Sequence, residues 1–413
     1  MREGWGKKTI GEIASVKGGK RVPKGYKLLT EPTPYPYITV SDFREDGTVD
    51  KTNLKYIGKN VYEQIQRYTI SSNDLYISIA GTIGKTGSVP EELDGANLTE
   101  NACRLIFHDG VDRSFMYYFT KSNSFIEQAG KNTRIAAQPK LALKRLKTIL
   151  LQVPPLPEQK RIVAILDEAF SGITQAVTNA ERNLANAREL FESYLNSIFA
   201  QKGEGWIEKK LNDFCYQITV GHVGSMASKY IAQGIPFLRS QNIQPFRIVL
   251  ENVKYIDNDF HSSLQKSSLC PRDVVIVRTG YPGTTAVIPP SLPVANCSDL
   301  VIARPKEILN PYYLAIFMNS VYGKKKVSGN LVGTAQKHFN VSAAKNIDMT
   351  LPPIEKQGTI VSNVERFQKK TQRLETIYQQ KLTALAELKQ SILQKAFAGE
   401  LTADTVYQQV VNG

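Results

Sequence analysis

The chain has 413 residues, more than one compact core of ~100–200 residues holds, so two or three globular units are expected. Hydrophobic residues make up 42% and charged residues 22%, which excludes wholesale disorder. Lys and Arg number 52 against 38 Asp and Glu, a net charge of +14 that puts a polyanion, nucleic acid first, among the partners.

The four cysteines (Cys103, Cys215, Cys270, Cys297) lie far apart with no Cys-x-x-Cys pair, which argues against a zinc knuckle and a disulfide framework. No apolar signal core opens the sequence, and no 18-residue apolar run could span a bilayer. A reduced, cytoplasmic protein with no membrane partner is the expectation.

The chain is written twice. Gly4-Trp5 returns as Gly205-Trp206, Pro36-Tyr37-Ile38 as Pro236-Phe237-Leu238, and Leu54-Lys55-Tyr56-Ile57 as Val253-Lys254-Tyr255-Ile256. Gly81 and Gly84 match Gly280 and Gly283, Gln138 matches Gln336, Pro154-Pro155-Leu156 matches Pro352-Pro353-Ile354, and Gln159 matches Gln357. So many collinear matches define a tandem duplication. Each copy opens with short alternating apolar stretches between Gly, Pro, Asn and Ser turns, with strands expected at 74–79 and 273–277.

After the Pro-Pro punctuation the period changes. Ile162, Leu166, Ala169, Ile173, Val177, Ala180, Leu184, Ala187, Phe191, Tyr194 and Ile198 recur at steps of three and four. The second copy gives Val364, Phe367, Leu374, Tyr378, Leu382, Leu385, Leu388 and Ile392. Each stripe predicts a long amphipathic helix with a narrow seam, suited to a coiled coil, and Pro157 fits a first turn. A helix of ~44 residues runs ~65 Å, so two seams of equal length are best buried against each other in antiparallel sense. The expected fold is α+β: two mixed α/β domains at 1–155 and 204–352, joined by antiparallel helical spacers at 156–203 and 353–413, a pseudo-two-fold dumbbell.

The charge excess sits in the globular parts. Residues 1–156 carry 23 Lys/Arg against 16 Asp/Glu, and residues 204–353 carry 16 against 10. Two stretches lack acids altogether, from Glu127 to Glu158 and from Glu307 to Asp348, and they occupy equivalent places in the copies. The first holds Arg134, Gln138 and Lys140; the second holds Lys324, Lys325, Lys326, Gln336 and Lys337. Basic side chains supply the salt-dependent phosphate term, while Gln, Asn and Arg pair with base edges.

No catalytic site assembles from these residues. Gly81-Thr82-Ile83-Gly84-Lys85-Thr86 resembles the end of a P-loop, but Ile79 stands where the first glycine is required. Its counterpart Gly280-Tyr281-Pro282-Gly283-Thr284-Thr285 has no lysine, so the shared feature is a tight Gly-x-x-Gly turn. Asn310-Pro311-Tyr312-Tyr313 lacks the second proline of an adenine-methyltransferase signature, and helix initiation explains it better. The four histidines, His108, His222, His261 and His338, have no metal-ligand spacing, and Glu208-Lys209-Lys210 lacks a partner carboxylate.

With its duplicated plan, basic halves, Gly-x-x-Gly loops and helices opened by Val153-Pro154-Pro155-Leu156-Pro157-Glu158-Gln159, the chain resembles the specificity subunit of type I restriction-modification systems. Gly333-Thr334-Ala335-Gln336 followed by Leu351-Pro352-Pro353-Ile354-Glu355-Lys356-Gln357 fits the family's Gly-Thr-x-Gln and Pro-Pro-Leu-x-Glu-Gln pattern. The first copy departs from it, with Arg134-Ile135-Ala136-Ala137-Gln138. Lys17-Gly18-Gly19-Lys20 and Ile235-Pro236-Phe237-Leu238-Arg239-Ser240-Gln241-Asn242-Ile243 are also familiar from these domains.

The resemblance implies two target recognition domains, each reading half of a bipartite double-stranded DNA site. The helices would act as a ruler and dock two methyltransferase subunits, with motor-nuclease subunits completing the complex. S-adenosylmethionine and ATP would belong to those partners, leaving this chain non-catalytic and without a cofactor. Expected DNA contacts in the first copy are Lys17, Lys20, Arg21, Ser41, Arg44, Lys85, Thr86, Arg134, Gln138 and Lys140. Those in the second are Arg239, Ser240, Gln241, Asn242, Arg278, Thr279, Tyr281 and Thr284, then Lys324, Lys325, Lys326, Thr334, Gln336, Lys337 and His338. Expected partner contacts are Glu158, Gln159, Arg182, Arg188, Glu189 and Gln357. A stand-alone architectural DNA-binding scaffold, and an enzyme with a fused recognition domain, stay open beside this reading.

Overall fold

The computed structural model describes residues 4–134, 139–200, 203–331 and 338–402, with only the backbone of Arg134. It divides into two compact units, the first made of 1–179 and 381–413 and the second of 180–380. The division cuts through two 45-residue helices, Leu156–Ala200 and Ile354–Ala398. Each unit therefore owns the start of one long helix and the end of the other.

In the first unit, apolar alternation builds two four-stranded sheets. One runs Ala14–Gly18, Ala102–Phe107, Leu75–Ser78, Thr86–Gly87, all antiparallel. The other runs Lys55–Tyr56, Pro36–Ile38, Ala96–Leu98, Thr69–Ile70, with only its central pair parallel. Gly6–Thr9 pairs with Leu150–Val153 and ties the first strand to the approach of the long helix. All four residues of Leu75–Ser78 are buried, as a central strand covered on both faces requires.

Helices Arg113–Lys121 and Asn123–Lys131 are started by Asp112 and Ser122, whose side chains accept the N–H groups of Phe115 and Phe125. Phe115, Phe119 and Phe125 pack into one core with Ile162, Leu166, Leu393 and Ala396 of the long helices. This is where a helical seam and a β domain share a core.

The second unit repeats the two four-stranded sheets in the same order. Its sheets run Cys215–Val220, Leu300–Pro305, Val274–Val277, Thr285–Val287 and Lys254–Ile256, Ile235–Leu238, Ala295–Cys297, Ser268–Leu269. Ile207–Lys210 pairs with Asp348–Leu351, and helices Pro311–Asn319 and Val321–Gly329 follow the last sheet strand. The hairpin Ile243–Gln244 with Arg247–Ile248 is reduced to a single bridge in the first unit, Phe43 to Val49, where Asp50 N–H donates to Asp42 O at 2.7 Å as Val249 N–H does to Asn242 O at 2.8 Å. Within this unit Arg188 pairs with Glu375 at 3.1 Å, and Tyr194 meets Phe367 at 4.6 Å between ring centroids. Partners on the second helix thus fall in number as those on the first rise, which is antiparallel contact.

The expected seam of the first helix is buried or half-buried at every position. In the second helix Leu374 and Leu388 depart from it, at 38% and 47% exposure, while Val361, Thr371, Leu393 and Ala396 are buried instead. No helix among the described residues is long and apolar enough to cross a membrane.

Candidate nucleic-acid interface

In the first unit four chain segments leave the sheets at one edge. Gly19 N–H donates to Ala102 O at 3.0 Å and Lys20 N–H to Leu98 O at 2.8 Å. Thr99 N–H donates to Ile38 O at 3.0 Å, and the N–H groups of Ile79 and Ala80 both reach Asn101 O. Leu141 N–H reaches Ile79 O at 2.9 Å, bringing the middle of the first acid-free stretch to the same edge. These bonds gather Lys17, Lys20, Arg21, Ser41 and Lys140, all exposed, onto one rim with the Gly81-to-Gly84 turn. Gly19 is required there, because a Cβ would lie 2.1 Å from Thr99 O.

The second unit builds its rim with the same bonds. Gly221 N–H donates to Leu300 O, His222 N–H to Cys297 O and Ser298 N–H to Leu238 O, at 2.8, 2.8 and 3.0 Å. Phe339 N–H reaches Arg278 O at 3.0 Å, as Leu141 does Ile79. The Gly-x-x-Gly turns close alike: Gly84 N–H donates to Ser78 O and Gly283 N–H to Val277 O, with φ of 91° and 90° at these glycines. Matched bond by bond, Lys20 stands opposite His222, Ser41 opposite Gln241, Thr82 opposite Tyr281 and Lys85 opposite Thr284. Gln241 is exposed, and Tyr281 is 83% exposed at its turn tip.

The rims are less bare electrostatically than the net charge suggests. Arg21 pairs with Glu100 at 2.5 Å, Arg44 with Asp50 at 3.1 Å and Lys85 with Glu45 at 3.0 Å. Burial pushes the Glu100 carboxyl up, but the Arg21 guanidinium and Thr99 hydroxyl outweigh it and hold the group below the ordinary carboxylate range. The Thr52 hydroxyl and backbone N–H, then Arg44, lower Asp50 to about 2. In the second unit Arg278 lies 3.6 Å from Asp299, which also accepts the Thr279 hydroxyl. Asp299 has φ 55°, a left-handed conformation forced by the sharp turn between its two strands.

Several expected contacts take internal roles instead. Thr86 is fully buried and donates its hydroxyl to Gly84 O at 3.1 Å, so it braces the turn and cannot reach a base. Asn242 is 1% exposed; its amide oxygen accepts Arg239 N–H and its nitrogen donates to Val249 O, which spends its base-reading atoms on a cap. Asp42 does the same for Thr39 in the first unit. Arg239 is half-buried, donates to Asn252 O at 2.9 Å and lies over Tyr230, while Ser240 donates to Asp299 O at 3.3 Å. Lys326 faces Asp348 at 3.9 Å and Tyr322, leaving Lys324 and Lys325 as the exposed cations of that run. Thr284 and His338 are half-buried. Gln138, Thr334, Gln336, Lys337 and the Arg134 side chain lie outside the described residues.

Two expected partner contacts are corrected most clearly. Gln159 and Gln357 are wholly buried. Gln159 accepts Asp112 N–H at 2.8 Å and donates to Gly110 O and Pro154 O at 2.9 and 2.8 Å. Gln357 accepts Asn310 N–H at 2.7 Å and donates to Ile308 O and Pro352 O, both at 2.8 Å. Three satisfied bonds in the interior leave no atom to offer a partner. Glu158 is half-buried and accepts the Thr402 hydroxyl, whereas Arg182, Arg188 and Glu189 are exposed.

Sequence reasoning missed His222, Glu100 and Asp299. Aligning Val220-Gly221-His222 with Gly18-Gly19-Lys20 would have found the histidine. A search for acid-free stretches passes over rim acids by construction.

The chain belongs to the family described as the type I restriction modification DNA specificity domain, which matches twice, at residues 2–183 and 203–384. The type I restriction enzyme EcoBI specificity subunit of Escherichia coli is 23% identical, covering 98% of this chain and 87% of the relative. The EcoKI specificity subunit of Escherichia coli strain K12 is also 23% identical, covering 98% and 90%. The fold matches the HsdS subunit from Thermoanaerobacter tengcongensis with a TM-score of 0.63 at 20% identity, over 97% of this chain and 98% of that one. A chain from a study of complex assembly and conformational transition of the type I R-M system matches at 0.80 and 20%, over 97% and 99%. The chain is a non-catalytic specificity subunit carrying two tandem DNA specificity domains. Its relatives do not favour the stand-alone scaffold.

Proposed function

We propose that each unit reads one part of a bipartite double-stranded DNA target through its rim, and that the long helices set the distance between the parts. The observation that carries this reading is a pair of rims with the same backbone bonds and different tips: Lys20 against His222, Ser41 against Gln241, Thr82 against Tyr281. A shared frame with exchanged tips is how one architecture comes to read two unlike sequences. Lys17, Lys20, Lys140, Lys324 and Lys325 supply phosphate contacts, and Gln138 and Gln336 supply base contacts.

The helices dock modification subunits, one for each repeat, through exposed Arg182, Arg188 and Glu189 with Leu190, Leu374 and Ile377. Those three apolar side chains are 52%, 38% and 46% exposed. The helix pair is an antiparallel coiled coil. S-adenosylmethionine and ATP belong to the modification and motor-nuclease partners, this chain holds no cofactor, and the complex works in the cytoplasm.

Co-expression with a modification subunit and mapping of methylated adenines tests the reading. A two-part motif with a fixed unread spacer is expected, and methylation without such a motif refutes it. Four residues inserted after Ala180 and at the matching level of the second helix lengthen each by ~6 Å and roughly keep the apolar phase. The spacer should then grow by one or two base pairs at ~3.4 Å each, with both half-sites unchanged.

A further inference from the structure

The turn joining the last two sheet strands places one acid on each rim, and each acid holds an arginine. In the first unit Glu100 takes Arg21 Nε on Oε1 at 2.5 Å and the Thr99 hydroxyl on Oε2 at 3.0 Å. In the second, Arg278 Nη1 lies 3.6 Å from Asp299 Oδ1 as an ion pair without a hydrogen bond, and Oδ2 accepts the Thr279 hydroxyl. The acids are counterparts counted from the preceding strand, each two residues past the carbonyl (Leu98 or Cys297) that Lys20 or His222 N–H reaches, in a turn one residue shorter in the second unit. The arginines are not: Arg21 corresponds to Val223, and Arg278 to Ile79. Inheritance from the duplicated ancestor therefore does not explain why each acid has an arginine.

An acid on a DNA-facing rim costs phosphate affinity, so its presence twice asks for a compensating role. A carboxylate that takes one side of a guanidinium fixes the plane of the rest. The remaining N–H groups of an arginine so held match guanine O6 and N7 as a bidentate fork.

We propose that Arg21 on Glu100 and Arg278 on Asp299 each read a guanine, one in each half of the target. Glu100 and Asp299 are positioning residues; the arginines touch the base. This rests on the DNA-reading function proposed above.

The test uses the full chain co-expressed with its modification subunit, with methylation sequencing and binding to target and scrambled duplexes. Wild type fixes the motif. Arg21→Lys should relax one guanine in one half by roughly ten- to a hundred-fold and leave the other half unchanged, and Arg278→Lys should do the reverse. Glu100→Gln and Asp299→Asn should relax the same positions while binding to scrambled duplex stays equal or tightens. Glu100→Asp should retain part of the discrimination.

A motif without guanine in both halves overturns the proposal. So do variants that weaken target and scrambled binding equally, because that reports a structural ion pair. Wild type without a two-part motif overturns the DNA-reading function itself, a distinct outcome.

Discussion

Asp112 donates its backbone N–H to Gln159 Oε1 at 2.8 Å, and its own carboxylate accepts Phe115 N–H at 2.9 Å. Asp112 thereby links the first turn of a short helix to the first turn of a 45-residue one. Asn310 and Gln357 repeat the arrangement, with Asn310 accepting Tyr312 N–H at 2.9 Å. The glutamines are thus what fixes each specificity domain to the helix that follows it.

Replacing Gln159 or Gln357 by Leu strands one N–H and two carbonyls in the interior. A loss of roughly 2–4 kcal/mol is expected for each, at one to three for each unpaired buried group with partial relaxation. Thermal unfolding measures it, and DNA affinity of the folded protein should be little changed. Near-neutral stability with impaired partner binding would restore the glutamines to the partner surface.

Gly19→Ala should disturb the first rim more than Gly221→Ala disturbs the second. The added Cβ lies 2.1 Å from Thr99 O in one case and 2.8 Å from Cys297 O and Sγ in the other. Backbone oxygens stand in the way at both sites, but the overlap is far deeper at Gly19, so the first variant should be destabilised by more than ~1 kcal/mol and lose discrimination in one half-site. Unfolding curves with half-site methylation profiles check both parts.

Lys324→Ala with Lys325→Ala should weaken binding to every duplex and lower the salt slope by up to ~2, at ~0.9 for each phosphate no longer neutralised by a lysine. Lys326→Ala should lower it less, because Asp348 already faces that ammonium at 3.9 Å. Titrations at several salt concentrations decide it. An unchanged slope in the double variant would move the phosphate face elsewhere.

Thiol labelling should distinguish Cys270 from the other three cysteines. Cys270 is exposed, and Cys103, Cys215 and Cys297 are buried. Burial pushes the Cys103 and Cys215 thiols up to about 12 and also raises Cys297, so the thiolate that reacts is scarce near neutral pH. One label per native chain and four in denaturant are expected, with extra native labels appearing only as the pH rises toward those raised values.

The sequence by itself determined the duplication, the two long helices and the basic character of both globular halves. Each is written in local terms: collinear repeats, a three-four apolar period, and charge counted along the chain. Strand positions were legible where an apolar run stood between turn residues, with 74–79 expected and Leu75–Ser78 found. What tertiary structure alone decided was which polar side chains remain available. Gln159, Asn242 and Thr86 have the residue types of contacts, yet the fold surrounds them with backbone N–H and C=O groups that need partners more than a distant ligand does. Conversely, Glu100 and Asp299 look unsuited to a DNA surface until the chain folds and sets an arginine beside each. The seam of the second helix departed for a similar reason. Leu374 and Leu388 keep the period, but burial depends on what packs opposite, and that is settled by contacts far apart in sequence.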